Sequence, residues 1–368
     1  MAKSFDCIVI GDGIVGAASA RALARAGRAV LLLGRGGLNG AATPASAGML
    51  APQIEARAGD PVLPLALAGR DLYQSLAADL ARHGHDIGLT RGGILQVALD
   101  ADGSRELREQ AAAQRSLGLE AEWWESAELR KHVPGIGAEA TGALFAPNDG
   151  SVDPAAVHAA LLADAERSGA TLDLVSGADA LWLRGTRVAG VKGPGGDIAA
   201  GHVVIAAGAW SPALPGLPRP LAIEPVRGQM AQAAWPSGEP RAILFGPGGY
   251  VVPRRDVAVL GTTMEKAGFD AVTTAEGIGH IREITGRILP PLLTWPIVRT
   301  WSGLRPVTPD GRPILGTDPD VEGLVYATGH GRQGIVLGPL TGEIVRELVD
   351  GSCRRDLEPF AVTRFPPD

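Results

Sequence analysis

Three glycines near the amino terminus have the spacing of a phosphate-binding turn. They are Gly11, Gly13 and Gly16, in the sequence IVIGDGIVG of residues 8–16. The first glycine allows a tight turn, the second lets a pyrophosphate approach the main chain, and the third allows close helix–strand packing. The amino end of the following helix would then stabilise the phosphates. We predict a dinucleotide site here, against the alternative of a tight turn that binds nothing.

Glycine occupies the position at which such a site usually carries an acidic residue. In dinucleotide-binding domains the second strand commonly ends in Asp or Glu, which binds the adenosine ribose. Here the second predicted strand, RAVLLL, is followed by Gly34 and Arg35. Arg35 fits the 2′-phosphate of NADP, and it fits equally well an exposed residue at the end of a strand. The amino-terminal turn alone therefore leaves FAD, NAD and NADP open.

A second glycine-rich turn follows a predicted strand near the carboxyl end. The sequence LVYATGHGRQGIVLGPLTGEIVRELV of residues 324–349 reads as a strand, a glycine-rich turn and a terminal helix. N–H groups at the start of that helix are well placed to stabilise negative charge on a cofactor ring. A third turn of small residues, in HVVIAAGAW at 202–210, would also let a backbone approach a flat or phosphorylated group, but taken alone it is better explained by tight packing at a strand end.

The elements around these turns predict an α/β fold with two domains. A strand, the first glycine turn, a helix and a second strand fit within about 30 residues, the size of one βαβ unit. We assign residues 1–84, 145–218 and 302–368 to a Rossmann-like nucleotide-binding domain. Residues 85–144 and 219–301 would form a mixed, mostly antiparallel-sheet domain for the substrate. No metal cluster and no Ser–His–Asp arrangement is evident in the sequence, so no metal is predicted.

Composition indicates a globular protein of the cytoplasm. The chain has 368 residues, a formal net charge of −6 and no basic block, which argues against a nucleic-acid partner. Its two cysteines, Cys7 and Cys353, form neither a disulfide framework nor a zinc site. The amino terminus has no signal-peptide pattern, and no apolar run approaches the roughly 18–20 residues of a membrane helix.

Six short motifs occur in order along nearly the whole chain. They are GDGIVG at 11–16, ASAGMLAPQ at 45–53, VVIAAGAWS at 203–211, GTTMEKAGFD at 261–270, GLRPVTPDGRPILG at 303–316 and GHGRQGIVLGP at 329–339. In combination the chain resembles the FAD-dependent D-amino-acid oxidase family, and within it the glycine oxidases of thiamine biosynthesis. The resemblance implies non-covalent FAD and a homotetramer. It implies oxidation of glycine, sarcosine or small D-amino acids by molecular oxygen, giving an oxo acid, ammonia or an amine, and hydrogen peroxide.

The same resemblance implies a set of FAD-binding residues. The pyrophosphate would lie on the amino-terminal glycines, the segment 43–50 along the flavin, and 329–337 over the pyrimidine end of the ring. The full set is Gly11, Gly13, Ile14, Val15, Gly16, Arg35, Thr43, Ala47, Gly48, Met49, Leu50, Val175, Ala206, Ala207, Gly208, Trp210, Gly329, His330, Gly331, Arg332, Gln333, Gly334, Ile335, Val336 and Leu337.

For the substrate, the resemblance assigns the carboxylate to Arg305, in GLRP, and to Tyr250, in the YVVPR strand. Met49 and Met264 would line the pocket, and Arg332 would lie at its mouth. Each has an ordinary structural alternative: an interdomain ion pair for the arginine, an edge-strand contact for the tyrosine, and core packing for the methionines. His330 is given no catalytic role.

The chain departs from the family at several positions, and other functions stay open. Family members usually have an acid at position 34, often a bulky aromatic where this chain has Gly331, and commonly Asn at Gln333. Substrate preference therefore need not be for glycine. The alternatives are a D-amino-acid, D-hydroxyproline or opine dehydrogenase that reduces a quinone or a partner subunit, an NAD(P)-dependent dehydrogenase, and a non-catalytic nucleotide-binding module.

Overall fold

The computed structural model of the chain describes residues 4–55, 57, 59–239 and 241–365. In this part the strands are β1 (Ser4–Ile10), β2 (Val30–Leu33), β3 (Met49–Leu50), β4 (Ile94–Ala98), β5 (Glu122–Glu125), β6 (Gly142–Ala146), β7 (Gly150–Ser151), β8 (Thr171–Asp173), β9 (Ala180–Arg184), β10 (Arg187–Gly193), β11 (Gly196–Ile205), β12 (Glu224–Ala234), β13 (Ile243–Gly246), β14 (Gly249–Pro253), β15 (Val257–Gly261), β16 (Ile297–Val307), β17 (Ile314–Thr317) and β18 (Leu324–Thr328).

The helices alternate with these strands. They are α1 (Ile14–Arg25), α2 (Ala42–Ala45), α3 (Pro52–Glu55), α4 (Val62–Ala81), α5 (Ala101–Ser116), α6 (Ser126–His132), α7 (Pro154–Arg167), α8 (Ala275–Ile288) and α9 (Gly334–Val349). Short 3₁₀ helices cover Gly208–Ala213, Pro290–Leu293, Arg355–Phe360 and Val362–Arg364.

The first sheet is built around parallel strands. Its order is β17-β18-β11-β1-β2-β8, and β1, β2, β8, β11 and β18 run parallel to one another. Strands β9 and β10 form an antiparallel extension on β11. Apolar runs such as Val30–Leu33 are buried along their whole length, as expected for strands covered on both faces. Helix α1 packs against α7 and α9 over one face of this sheet.

The second sheet is mostly antiparallel. Its order is β16-β12-β15-β14-β13-β4-β6-β5, and β4 and β13 are its parallel pair among the described strands. A separate apolar core lies under it and includes Leu95, Leu260 and Ile281. The predicted combination of a Rossmann-like sheet with a mixed, mostly antiparallel one is therefore confirmed.

Two strands run across the predicted domain limits. Strand β16 extends from residue 297 to 307, so it crosses the limit placed between 301 and 302, and β6 spans the limit between 144 and 145. Strand β16 pairs with β12 along almost its whole length. The exact domain boundaries stay a prediction, but the carboxyl half of β16 continues the second sheet toward the first.

Local sequence explains where helix α7 begins and where helix α1 ends. Helix α7 starts after Asp153, whose carboxylate accepts hydrogen bonds from the N–H groups of Ala155 and Ala156, and Pro154 occupies its first turn. Helix α1 ends at Arg25, and Gly27 follows it with a φ of 81°. In the described residues no helix is both long enough and apolar enough to span a bilayer.

Candidate active site

The amino-terminal turn uses its three glycines in different ways. Gly11 has a φ of 107°, and a Cβ added there would lie 2.4 Å from the carbonyl oxygen of Ala206. A Cβ on Gly16 would lie 1.7 Å from the carbonyl oxygen of Gly11. A Cβ on Gly13 would instead meet only Thr43 Oγ1, at 3.2 Å. The first and third glycines are therefore required by packing against the main chain, whereas a Cβ on the second would contact only the Thr43 side chain at the start of α1.

A cavity of about 650 Å³ lies at the carboxyl ends of β1, β2, β11 and β18. This is where parallel α/β sheets bind their ligands. Sixteen of the predicted cofactor residues line it: Gly11, Gly13, Ile14, Val15, Arg35, Thr43, Ala206, Ala207, Gly208, Trp210, Gly329, His330, Gly331, Arg332, Gly334 and Ile335. The three glycine-rich or small-residue turns identified in the sequence thus meet around one space.

A smaller cavity of about 80 Å³ adjoins the large one. Ala42, Ser46, Gly331 and Arg332 line both cavities. The small cavity also contacts Ala47, Gly48, Met49, Gln333 and Val336 from the predicted flavin set, together with Tyr250 and Arg305. The two residues predicted to bind a carboxylate therefore lie next to the space predicted to hold the cofactor.

Five of the predicted residues line neither cavity in the described structure. Gly16 is packed beneath the turn, and Leu50 and Leu337 are buried in the apolar core. Val175 is 75% exposed, because it follows the end of the edge strand β8; Gly177, Ala178 and Asp179 line the large cavity in its stead. Met264 is 54% exposed beyond the end of β15, and Thr262 contacts the small cavity.

Arg305 brings a cation without a counter-ion to the small cavity. Its Nη2 donates to Thr262 Oγ1 at 2.7 Å and its Nη1 to the carbonyl oxygen of Thr263 at 3.3 Å. Among the described residues no carboxylate lies within ion-pair distance of it, so the predicted alternative of an interdomain ion pair is absent here. Burial and the positive charge of Arg332 lower the pKa of Arg305. An anion bound beside Arg305 would stabilise the charged guanidinium and offset this effect on its pKa.

Arg305 lies against a glycine, Gly228, on the neighbouring strand. Residue 228 lies on β12, which pairs with β16, and a Cβ on Gly228 would lie 1.9 Å from Arg305 Nη1. The guanidinium therefore lies flat against the main chain of the neighbouring strand. This contact and the bond to Thr262 fix its orientation.

Tyr250 lies beside Arg305 on the wall of the small cavity. Its ring is only 6% exposed and its hydroxyl donates to Met230 Sδ at 3.4 Å, a weak acceptor. Burial raises the pKa of Tyr250, so the hydroxyl keeps its proton and stays a donor. A carboxylate on Arg305 would offer this donor a better acceptor.

Glu55 is a site residue that sequence analysis did not identify. Its carboxylate accepts hydrogen bonds from Arg332 Nη2 at 2.9 Å and from Gln333 Nε2 at 3.4 Å, and it lines the small cavity. Glu55 raises the pKa of Arg332 and compensates its charge. The ASAGMLAPQ motif, which ends two residues earlier, was the available signal. The residues that bind Glu55 lie 277 and 278 positions away, so the sequence alone did not connect them.

His330 and Arg35 make structural contacts of their own. His330 Nε2 lies 3.0 Å from Thr341 Oγ1, and burial lowers the pKa of His330 to about 4. The imidazole is therefore neutral near pH 7, consistent with no catalytic role. Arg35 Nη2 donates to the carbonyl oxygen of Ala178 at 3.1 Å and lies 3.7 Å from Asp179. Its guanidinium is thus already partnered.

The walls of the large cavity suit a dinucleotide. Its volume lies within the range of about 300–1,000 Å³ that is usual for ligand sites. The space beside Gly13 would be filled by any side chain there, and α1 begins at Ile14 with no acidic residue in its first turn. Negative charge would therefore be favourable at this end of the cavity.

Comparison with known proteins decides the family. The model of the DAO family, described as FAD dependent oxidoreductase, matches residues 6–348. The chain belongs to this family. It is 34% identical over 99% of its length to a glycine oxidase of Geobacillus kaustophilus, of which it covers 98%.

Solved structures agree with this assignment. The crystal structure of glycine oxidase from Geobacillus kaustophilus matches with a TM-score of 0.94 and 32% identity, over 99% of both chains. That of iminodiacetate oxidase from Chelativorans sp. BNC1 matches with a TM-score of 0.87 and 28% identity, over 96% of this chain and 98% of the other. The predicted family, fold class and FAD cofactor are confirmed, and the predicted FAD-dependent amino-acid oxidase is supported. The individual site residues stay predictions.

Proposed function

We propose that the chain oxidises the α-amino group of glycine, sarcosine or a small D-amino acid, with molecular oxygen as the electron acceptor. The products are the oxo acid, ammonia or an amine, and hydrogen peroxide. Similarity to glycine oxidases supports the reaction class. The observation that carries the substrate class is Arg305, a half-buried guanidinium with no carboxylate partner among the described residues and a free face toward the small cavity.

Arg305 binds the substrate carboxylate in this proposal. A guanidinium forms two parallel hydrogen bonds with a carboxylate, and a buried carboxylate needs such a partner because an unpaired charge is costly to bury. Thr262 and the bare main chain at Gly228 hold the guanidinium in one orientation. The hydroxyl of Tyr250 donates a third hydrogen bond and exchanges its weak sulfur acceptor for a charged oxygen.

The rest of the small cavity limits the substrate to one carboxylate and a small side chain. Arg332 is paired with Glu55, so the cavity has one uncompensated cation and not two. A volume of about 80 Å³ has room for only a few water molecules. These features favour glycine, its N-methyl derivative and small D-amino acids over substrates with a second carboxylate.

FAD supplies the redox chemistry when it is bound, because it accepts hydride from the substrate α-carbon and passes electrons to oxygen. The chain orients the substrate by its carboxylate, so that the α-carbon is presented toward the large cavity. The amine enters as its neutral form, and the resulting imine is hydrolysed to the oxo acid. Ala42, Ser46, Gly331 and Arg332 line both cavities, so the substrate space and the cofactor space meet at these residues.

The test is an anaerobic substrate panel read from the flavin absorbance. Purified holoenzyme is mixed with glycine, sarcosine, D-alanine, D-proline or D-hydroxyproline, and bleaching identifies the substrates. Iminodiacetate and D-glutamate, each an amine with two carboxylates, serve as size and charge controls. Oxygen is then admitted, and peroxide is measured. Bleaching followed by rapid peroxide release supports the oxidase. Bleaching that persists in oxygen and is reversed by a quinone contradicts it and identifies a dehydrogenase.

We further propose a cytoplasmic homo-oligomer, of four chains by family resemblance. Two free cysteines, of which Cys353 is exposed, support a reducing compartment. Fractionation of the host cell and light scattering of the purified holoenzyme test the two points separately.

A further inference from the structure

We propose that Asp12, inside the glycine turn, binds the adenosine ribose of FAD in place of the acidic residue that usually ends β2. The proposal rests on FAD as cofactor and is independent of the amino-acid substrate. It accounts for Gly34, the position at which the sequence departs from the usual dinucleotide pattern.

The side chain of Asp12 occupies the space of the missing acid. A Cβ built on Gly34 would lie 2.5 Å from Asp12 Cγ, 2.6 Å from Asp12 Oδ2 and 2.9 Å from Asp12 Cβ. These distances are far below van der Waals contact. Asp12 therefore covers the α-carbon of Gly34, and a side chain at position 34 would displace it.

The main chain on both sides holds Asp12 in this place. The N–H of Gly11 donates to the carbonyl oxygen of Leu33 at 2.8 Å, which ties the turn to the end of β2. His158 Nε2 lies 2.5 Å from the carbonyl oxygen of Asp12. The carboxylate thus projects from a fixed turn over the carboxyl end of β2.

The carboxylate of Asp12 faces the large cavity with its hydrogen-bonding capacity unused. Asp12 lines the cavity, and its side chain forms no hydrogen bond or ion pair with any other described residue. The neighbouring cation, Arg35, is directed to Ala178 and Asp179. A half-buried carboxylate can accept hydrogen bonds from two vicinal hydroxyls, which is the arrangement that a ribose presents.

The negative charge of Asp12 lies away from the place predicted for the phosphates. The space open to a pyrophosphate adjoins Gly13 and the amino end of α1, whereas the Asp12 side chain lies on Gly34 at the end of the neighbouring strand. The phosphates and the carboxylate are therefore directed to different sides of the turn. A 2′-phosphate in place of the ribose hydroxyl would meet Asp12 directly and be repelled, so Asp12 also disfavours NADP.

The experiment compares FAD with an analogue that lacks the adenosine 2′-hydroxyl. Dissociation constants are measured from flavin fluorescence with the full-length apoprotein, for the wild type, Asp12→Asn and Asp12→Ala. Both substitutions should weaken FAD binding by about tenfold to a hundredfold, the scale of a lost hydrogen bond to a charged group. They should weaken binding of the deoxy analogue much less. Asp179→Asn, a second carboxylate at the same cavity that is already near Arg35, should leave the ratio between the two ligands unchanged.

A double variant tests whether an acidic residue at position 34 can replace Asp12. Gly34→Glu alone should weaken FAD binding because its side chain collides with Asp12, whereas Asp12→Gly combined with Gly34→Glu should bind FAD more tightly than either single variant. Circular dichroism shows whether each variant folds. Wild-type FAD affinity in Asp12→Ala, or an equal loss for FAD and the deoxy analogue, would overturn the proposal. A wild-type protein that binds FAD normally but does not oxidise amino acids would contradict only the proposed function.

Discussion

At the residue scale, Arg305 is the side chain on which substrate binding depends. Arg305→Leu should raise KM for amino-acid substrates by tenfold to several hundredfold, since loss of a charged hydrogen-bonding partner costs about 1.5–3 kcal/mol. Lysine should rescue only part of the loss, because it lacks the planar fork. Steady-state peroxide release measures the effect.

The matched control is Arg299→Leu on the same strand. Arg299 is exposed and lies over the ring of Trp301, 5.0 Å from its centroid, away from the small cavity. This variant should keep wild-type KM, and both variants should keep their flavin content. An unchanged KM in Arg305→Leu would show that the substrate carboxylate binds elsewhere.

His330 links the stability of the chain to pH. Its pKa is lowered by burial to about 4 from an ordinary value of about 6.5, so between these values the unfolded chain binds a proton that the folded chain does not. The free energy of unfolding should therefore fall as pH drops from about 6.5 to about 4, with up to about 3 kcal/mol arising from this residue. Urea unfolding across that range should show a shallower pH dependence for His330→Gln. Parallel curves for the two proteins would assign the effect to other groups.

At the element scale, substitutions at two glycines of the amino-terminal turn should affect FAD binding and folding differently. Gly13→Val should abolish FAD binding with little effect on folding, because the space beside Gly13 is open apart from Thr43 Oγ1. Gly16→Ala should instead disrupt folding, since its Cβ would overlap the carbonyl oxygen of Gly11. Bound flavin and far-ultraviolet circular dichroism distinguish the two losses. A folded, flavin-loaded Gly13→Val protein would mean that the turn does not approach the phosphates.

The same scale explains what the sequence could and could not predict. The βαβ unit was predictable because its strand, turn and helix are contiguous. Gly16 packs on Gly11 within that unit, whereas Gly11 packs on Ala206 at the end of β11. Glu55 was not, because its partners come from the turn before α9, far along the chain. The exposed positions of Val175 and Met264 depend on the directions that loops take after β8 and β15, which motif spacing does not specify. From the sequence, Gly34 showed only that the usual acidic residue is absent. The fold shows that the Asp12 side chain lies over it.

At the scale of the whole molecule, the small cavity joins the two sheets. Arg305 and Tyr250 come from the mostly antiparallel sheet, and Gly331 to Val336 from the turn and helix that follow the parallel one. A bound carboxylate should therefore stabilise the whole fold. At ten times its Kd a small carboxylate such as acetate should add about 1.4 kcal/mol to the free energy of unfolding. Thermal unfolding with acetate and with neutral acetamide measures this, and the difference should disappear in Arg305→Leu. Equal effects of the two compounds would contradict specific binding.

Residue 228 must be glycine because the guanidinium of Arg305 leaves no room for a side chain there. The guanidinium of Arg305 lies where a side chain at 228 would begin. Glycine at 228 is therefore needed for carboxylate binding by Arg305, 77 residues later in the chain. Gly228→Ala should therefore raise KM much as loss of Arg305 does, because the added methyl group would displace the guanidinium. In the Arg305→Leu background the same alanine should have little further effect on KM, and independent losses would break the link. Residue 228 can therefore be substituted during evolution only in proteins that no longer bind a substrate carboxylate. A side chain at that position would then indicate a change of substrate.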